Sequence, residues 1–167
     1  KREKMHKHQR SKSVSKKKTY CRECGTIGNA SMQTCPHCAS TNIAPLVDKY
    51  KEKIVVGIDA KDGYVAYSGW EKLSGKTAID FAKEVEKLGA KTIIYTDIAT
   101  DGTLMGPSLK STKELISSVD IDIIASGGVS SLSDIMDIKE IGAEGVIVGK
   151  AIYEGKVELK EVFESVN

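Results

Sequence analysis

The 167 residues, 40% of them apolar, suffice for one ordinary domain with a small appendage, but not for a complete eight-unit (β/α) barrel, which needs roughly 200 to 250 residues. A net charge of +2 conceals an asymmetry: residues 1–18 carry nine Lys/Arg against one Glu, leaving about −6 on the other 149. Any polyanion contact therefore belongs to the front end, and the lack of an apolar run near ~18 residues or of a secretory h-region argues for a cytoplasmic protein with no membrane span.

Residues 1–18, KREKMHKHQRSKSVSKKK, show no apolar periodicity and cannot bury enough surface to offset ordering entropy, so a disordered tail is expected. Such a tail attracts phosphate backbones in a salt-dependent, sequence-independent way. A merely solvated tail is the competing reading, and Tyr20 is the only aromatic nearby, so base stacking has little support. The chain starts on lysine rather than methionine, which points to a fragment or a processed product.

Residues 19–45 hold all four cysteines, as Cys21-Arg-Glu-Cys24 and Cys35-Pro-His-Cys38. Each CxxC places two thiolates on one turn, and two such turns complete the tetrahedral shell of a structural zinc. His37 is then unnecessary as a ligand and is expected to point outward. Reduced cysteines without metal are the alternative. The knuckle resembles the zinc ribbons of ribosomal and other nucleic-acid-binding proteins, so residues 1–45 are a candidate nucleic-acid-binding segment.

From residue 46 to 167 strand and helix patterns alternate. Lys53–Ile58 reads as a strand, and Tyr64–Ser68 as a short hairpin arm after the Lys61-Asp62-Gly63 turn. Thr77–Leu88 places Ala78, Phe81, Ala82, Val85 and Leu88 at helical spacing before Gly89. Strand Thr92–Ile98, helix Ser111–Val119, strand Ile121–Ala125, helix Ser131–Ile141, strand Gly145–Val148 and helix Val157–Val166 follow. Four βα units in sequence specify an α/β fold with a parallel sheet. Right-handed crossovers bring Asp59, Asp97, Asp101, Ser126–Val129 and Gly149–Ala151 to the same face of it.

Two strands run straight into glycine loops, Tyr95–Pro107 (YTDIATDGTLMGP) and Ile123–Val129 (IIASGGV). Glycine permits close backbone approach, and the following helix offers unpaired N–H groups, so such loops suit phosphate. One Gly-Gly is usually just a tight turn; a second glycine loop, Gly149-Lys150-Ala151, on the adjacent strand favours phosphate binding.

The segments VVGIDAKDGYVAYSGW, YTDIATDGTLMGP, IIASGGVSSLSDI and GVIVGKAIYEG resemble, in order and spacing, the C-terminal half of the phosphoribosylformimino aminoimidazole carboxamide ribotide isomerase family of histidine biosynthesis. The likeness runs from about Val47 to Val162. The cyclase subunit of imidazole glycerol phosphate synthase shares the DGT and ASGG loops, but the Gly69-Trp70 pair is more similar to the isomerase. The resemblance implies half of a (β/α)8 TIM-type barrel, family strands five to eight, with the first half not matched in this sequence.

It further implies an Amadori rearrangement, in which one acid protonates a sugar ring oxygen and one base removes a proton from the adjacent carbon. Asp59 falls on the general-acid position, and its partner aspartate lies on barrel strand one, outside this sequence. Thr96 and Asp101 match catalytic polar residues; Trp70 matches an aromatic packing on the substrate's heterocycle, with Gly102 and Thr103 beside it. Ser126, Gly127, Gly128, Val129, Gly149, Lys150 and Ala151 match one of the family's two phosphate sites. By themselves the residues leave other readings open: Asp59 capping the Lys61–Gly63 turn, Thr96 a satisfied strand end, Asp101 a turn residue, and Trp70 a rim cover.

Three functions follow as expectations. The first is an isomerase half-barrel for a phosphorylated ribosyl ligand, incomplete as a monomer and needing no cofactor for catalysis. Its open edges favour a homodimer through Lys53–Ile58 and Gly145–Val148, or a separate chain carrying the N-terminal half-barrel. The second is a zinc-ribbon nucleic-acid-binding protein with a non-catalytic half-barrel. The third is a fusion joined near Pro45–Asp48.

Overall fold

The chain divides into two compact units, Lys1–Lys49 and Tyr50–Asn167. The computed structural model describes residues 18–21, 27–29, 32–34, 43–45, 50 and 53–166. The tail before Lys18 and the expected ligands Cys24, Cys35 and Cys38 lie outside the described residues, and Cys21 is described in its backbone alone. In the first unit β1 (Lys18–Cys21), β2 (Ile27–Asn29) and β3 (Ile43–Pro45) form an antiparallel sheet ordered β2-β1-β3.

The second unit is mixed α/β around a six-stranded sheet ordered β6-β5-β4-β7-β8-β9. Its parallel part contains β4 (Val55–Lys61), β7 (Thr92–Asp97), β8 (Asp122–Ser126) and β9 (Gly145–Ile147). β5 (Tyr64–Tyr67) and β6 (Lys72–Thr77) extend the β4 end as an antiparallel meander. The sequence pattern had shown only the first arm of that meander. β6, Lys-Leu-Ser-Gly-Lys-Thr, has a single large apolar residue, Leu73, and that side chain is exposed, so no alternation marks it as a strand.

Helices return the chain between the parallel strands: α1 (Ala78–Lys87), α2 (Leu109–Ile116) and α3 (Leu132–Glu140), followed after β9 by α4 (Lys150–Tyr153) and α5 (Leu159–Val166). Capping sets the two best-defined starts. Thr77, in extended conformation, accepts the Asp80 N–H at 3.1 Å; Ser131 and Asp134 form a reciprocal capping box. Among the described residues no helix is long and apolar enough to cross a membrane.

One face of the parallel sheet carries the core. Ile58, Ala60, Ile93, Tyr95 and Ile123 cluster with Ala78, Ala82, Val85 and Leu115, each almost wholly buried. A second cluster joins Ala125 and Val129 to Ile135, Ile138, Ala151 and Val157. Burial lifts the Tyr95 hydroxyl above the ordinary tyrosine range, with the charges of Asp97 and Glu114 adding to the rise against a hydrogen bond with Ser111. Since side chains alternate along a strand, the other face presents Val55, Gly57 and Asp59 on β4, Ile94 and Thr96 on β7, Ile124 and Ser126 on β8, and Ile147 on β9.

β9 pairs only with β8 among the described residues, leaving its outer edge open. An apolar groove of about 570 Å³ runs beside that edge, lined by Ile138, Val146, Leu159, Val162 and Phe163. Phe163 and Leu159 are exposed there.

Candidate active site

Strand register assembles the first part of the site. Asp59 is level with Thr96, Thr96 with Ser126, and Ser126 with Ile147, so one row crosses all four parallel strands near their C-terminal ends. With strands ~4.8 Å apart, Asp59 stands roughly 10 Å from Ser126 along this row. Thr96, between them, is buried.

At the β8 end of the row lies a cavity of about 200 Å³. Three loops enclose it: Asp101, Gly102 and Leu104 after β7, Ser126–Val129 after β8, and Gly149 with Lys150 after β9, with Ile147 completing the wall. The three sequence stretches singled out for their glycines and turn residues thus meet at one hole. Lys150 is the only basic residue among the described residues lining it, and its Nζ donates to the Gly102 carbonyl at 3.0 Å.

The loops are fixed by close backbone approach. Gly106 N–H donates to the Gly128 carbonyl at 3.0 Å, and a Cβ added to Gly128 would overlap the Gly106 carbonyl oxygen. Gly128 also has φ +82°, a conformation glycine adopts without steric cost. Below it, the Asp134 carboxylate accepts from Ser130 N–H, Ser130 Oγ and Ser131 N–H at 2.8, 2.8 and 3.0 Å. Burial alone would raise its pKa, but these bonds outweigh it and hold Asp134 below the ordinary carboxylate value.

At the β4 end, Trp70 Nε1–H donates to Asp59 Oδ2 at 2.9 Å. Trp70 occupies the left-handed region at φ +71°, preceded by Ser68 at +56° and Gly69 at +68°. Non-glycine residues so placed cost about 1–3 kcal/mol each and persist where surrounding contacts over-determine them. The turn thereby lays the indole edge against the Asp59 carboxylate. Among the described residues Asp59 makes no side-chain hydrogen bond to the Lys61–Gly63 turn; its carboxylate accepts from Trp70.

Other expected residues sit apart from the cavity. The Thr103 hydroxyl donates to the Thr100 carbonyl at 2.7 Å and is turned into its own loop. The Ala151 side chain is buried in the second core cluster, so only its backbone is near the β9 loop. Asp97 is engaged structurally: Oδ1 accepts Ala99 N–H at 3.0 Å, and its carbonyl accepts from Thr100 and Asp101. Sequence reasoning missed Leu104, Ile147 and Asp134. The first two carry no chemical signature, but Ser131-x-x-Asp134 is a readable capping-box pattern just after the Gly-Gly pair.

Comparison with known proteins gives concordant matches. Residues 23–158 match the family described as "Histidine biosynthesis protein", which begins earlier in the chain than the Val47 expected from the motifs. Three relatives bear the name 1-(5-phosphoribosyl)-5-((5-phosphoribosylamino)methylideneamino) imidazole-4-carboxamide isomerase. That of Ruminiclostridium cellulolyticum is 67% identical over 113 residues, 68% of this chain and 48% of the relative. Those of Acetivibrio thermocellus and Thermoanaerobacter pseudethanolicus are each 56% identical over 115 residues, 69% of this chain and 48% of the relative. The chain spans about half the length of the curated relatives it matches.

Proposed function

We propose, on the premise that this chain belongs to the histidine biosynthesis protein family, that it supplies the C-terminal half of an isomerase site for a phosphorylated ribosyl aminoimidazole carboxamide. The observation that carries this reading is the single row of Asp59, Thr96 and Ser126 ending at the cavity of glycine loops. A phosphate in the cavity would meet backbone N–H groups of the Gly127-Gly128 and Gly149-Lys150 loops. The sugar would then extend along the strand ends toward Asp59.

In that arrangement Asp59 acts as general acid on the ring oxygen, with the Trp70 indole fixing its carboxylate, and opening the ring permits the shift from aminoaldose to aminoketose. Asp101, on the loop walling the cavity, and Thr96, midway along the row, orient the ribosyl hydroxyls. The row carries no second carboxylate, so the base that takes the carbon-bound proton stands elsewhere in the assembled site. No cofactor enters these steps.

The parallel strands act as family strands five to eight, and the open β9 edge receives the strands of an N-terminal half. We also propose, from the spacing of Cys21, Cys24, Cys35 and Cys38, a structural zinc in the first unit, tested by native mass measurement with and without chelator.

Co-expressing the chain with an N-terminal half of one relative and assaying isomerisation tests the functional reading. Activity is expected from the pair, little from the chain alone, and a loss of at least about 100-fold in Asp59→Asn. An active pair indifferent to Asp59→Asn would remove Asp59 from the mechanism. A chain that self-associates and turns over alone would replace the separate half with a second copy.

A further inference from the structure

Lys150 was expected to meet phosphate, yet in the structure its ammonium is already engaged. It lies across the cavity, from the first turn of α4 to the loop after β7, and donates to the Gly102 carbonyl at 3.0 Å over a separation of 48 residues. Its second partner is Glu154 Oε1 at 3.6 Å, and Glu154 is shared in turn with Lys156 at 3.7 Å. Both side chains are about half exposed, so these contacts exchange readily with solvent and with ions.

The loop that Lys150 holds packs on its neighbours through Leu104, half-buried against the second core cluster, and through Thr100, close beside Gly128, but few hydrogen bonds reach out of it. From Asp97 to Thr103 its hydrogen bonds are largely internal: Thr100 and Asp101 N–H to the Asp97 carbonyl, and Thr103 N–H and hydroxyl to the Thr100 carbonyl. The bond from Gly106 N–H to Gly128 anchors its far end. Between these, Gly102 at φ +67° and Leu104 at φ +57° form the stretch that faces the cavity, next to Asp101. Among the described residues, only the Lys150 ammonium links that stretch to the β9 side by a hydrogen bond.

We propose that Lys150 is a ligand-released tether: without an anion it straps the Asp101–Leu104 loop through the Gly102 carbonyl, and an anion entering the cavity draws the ammonium away and frees that loop. The physical basis is competition for one cation. A dianion offers a better acceptor than a neutral carbonyl or a half-exposed carboxylate at 3.6 Å. Occupancy of the cavity is thereby coupled to the conformation of the loop carrying Asp101, so that Asp101 adjusts only after phosphate has arrived. Lys150 is a positioning residue in this scheme, and Glu154 sets how readily it lets go.

The release step rests on the phosphate reading of the cavity; the strap does not, and the two are tested separately. Hydrogen exchange of the Asp101, Thr103 and Met105 amides is measured in the full chain, first in an anion-free buffer and then with inorganic phosphate. Without phosphate, Lys150→Met is expected to speed exchange about 2- to 10-fold, the range for one modest hydrogen bond, while Lys150→Arg restores protection. Added phosphate is expected to speed exchange of the same amides in wild type and to leave Lys150→Met unchanged. Glu154→Gln, which removes the competing carboxylate, is expected to tighten phosphate binding about 2- to 5-fold.

Unchanged anion-free exchange in Lys150→Met overturns the strap. A wild-type chain that binds phosphate without any change at these amides overturns the release. If phosphate does not bind at all, both the release and the phosphate reading fall, and the anion-free comparison still decides the strap.

Discussion

Replacing Gly128 with alanine tests whether the cavity loops are held as rigidly as their geometry requires. The residue sits at φ +82°, and a non-glycine residue in the left-handed region costs roughly 1–2 kcal/mol. The new methyl would overlap the Gly106 carbonyl oxygen and lie 2.8 Å from the Gly106 carbonyl carbon and 2.9 Å from Thr100 Cβ. Two of these three atoms are backbone, pinned by the 3.0 Å bond between Gly106 N–H and the Gly128 carbonyl. Relieving such overpacking costs about 1–3 kcal/mol more. Gly128→Ala should therefore lose about 2–5 kcal/mol, a large part of the 5–15 kcal/mol typical of a domain. Gly142→Ala is the control: its φ is +89°, but nothing lies within 4 Å of the added Cβ, so only the conformational cost of about 1–2 kcal/mol applies. Urea unfolding of both variants separates strain from clash. Losses agreeing within about 0.5 kcal/mol would refute the rigid close approach, since the loops would then move aside at no cost.

Thr77→Ala removes the hydroxyl that accepts the Asp80 N–H, and should lower stability by about 1 kcal/mol in thermal or urea unfolding, with Thr77→Ser largely neutral. Asp134 is held below the ordinary carboxylate value in the folded chain, so its contribution is present above the unfolded aspartate value and disappears as pH falls through the lower folded one. Melting curves from about pH 6 to about pH 2.5 should show that acid-side loss in wild type and a shallower dependence in Asp134→Asn. Equal slopes would mean that the bonds from Ser130 and Ser131 do not favour the charged form.

Most of the second unit was legible because each element carried its own local signal. The Ile93-Ile94-Tyr95 centre of β7, flanked by threonines, fits a buried parallel strand, and the alanines and valine of α1 fall at helical spacing. What escaped was what depends on neighbours. β6 exists because β5 offers it an edge, and its own residues are nearly all polar. α2 starts at Leu109 instead of Ser111 because the Ser108 carbonyl accepts the Thr112 N–H at 3.1 Å and the Thr112 hydroxyl at 2.9 Å, a first helical turn made without a side-chain cap and set only once the turn after Pro107 is folded. α4 is a single turn, too short for periodicity to reveal.

The site divides along the same line. Glycine pairs and strand-end carboxylates announced the loops, because backbone approach and polar strand ends demand those residue types. Which side chains face the cavity did not follow, and Ala151 went to the core while Leu104 and Ile147 took places on the wall. The engagement of Lys150 by Gly102, 48 residues away, was likewise invisible to spacing.

The central claim is that the three loops form a ribosyl-phosphate site, and amide NMR of the labelled chain titrated with ribose 5-phosphate tests it most directly. The expected result is saturable shifts confined to Asp101–Leu104, Ser126–Val129 and Gly149–Ala151, with a weaker effect at the Trp70 indole N–H that bonds Asp59. Shifts absent from these loops, or clustered along the groove beside β9 instead, would contradict it.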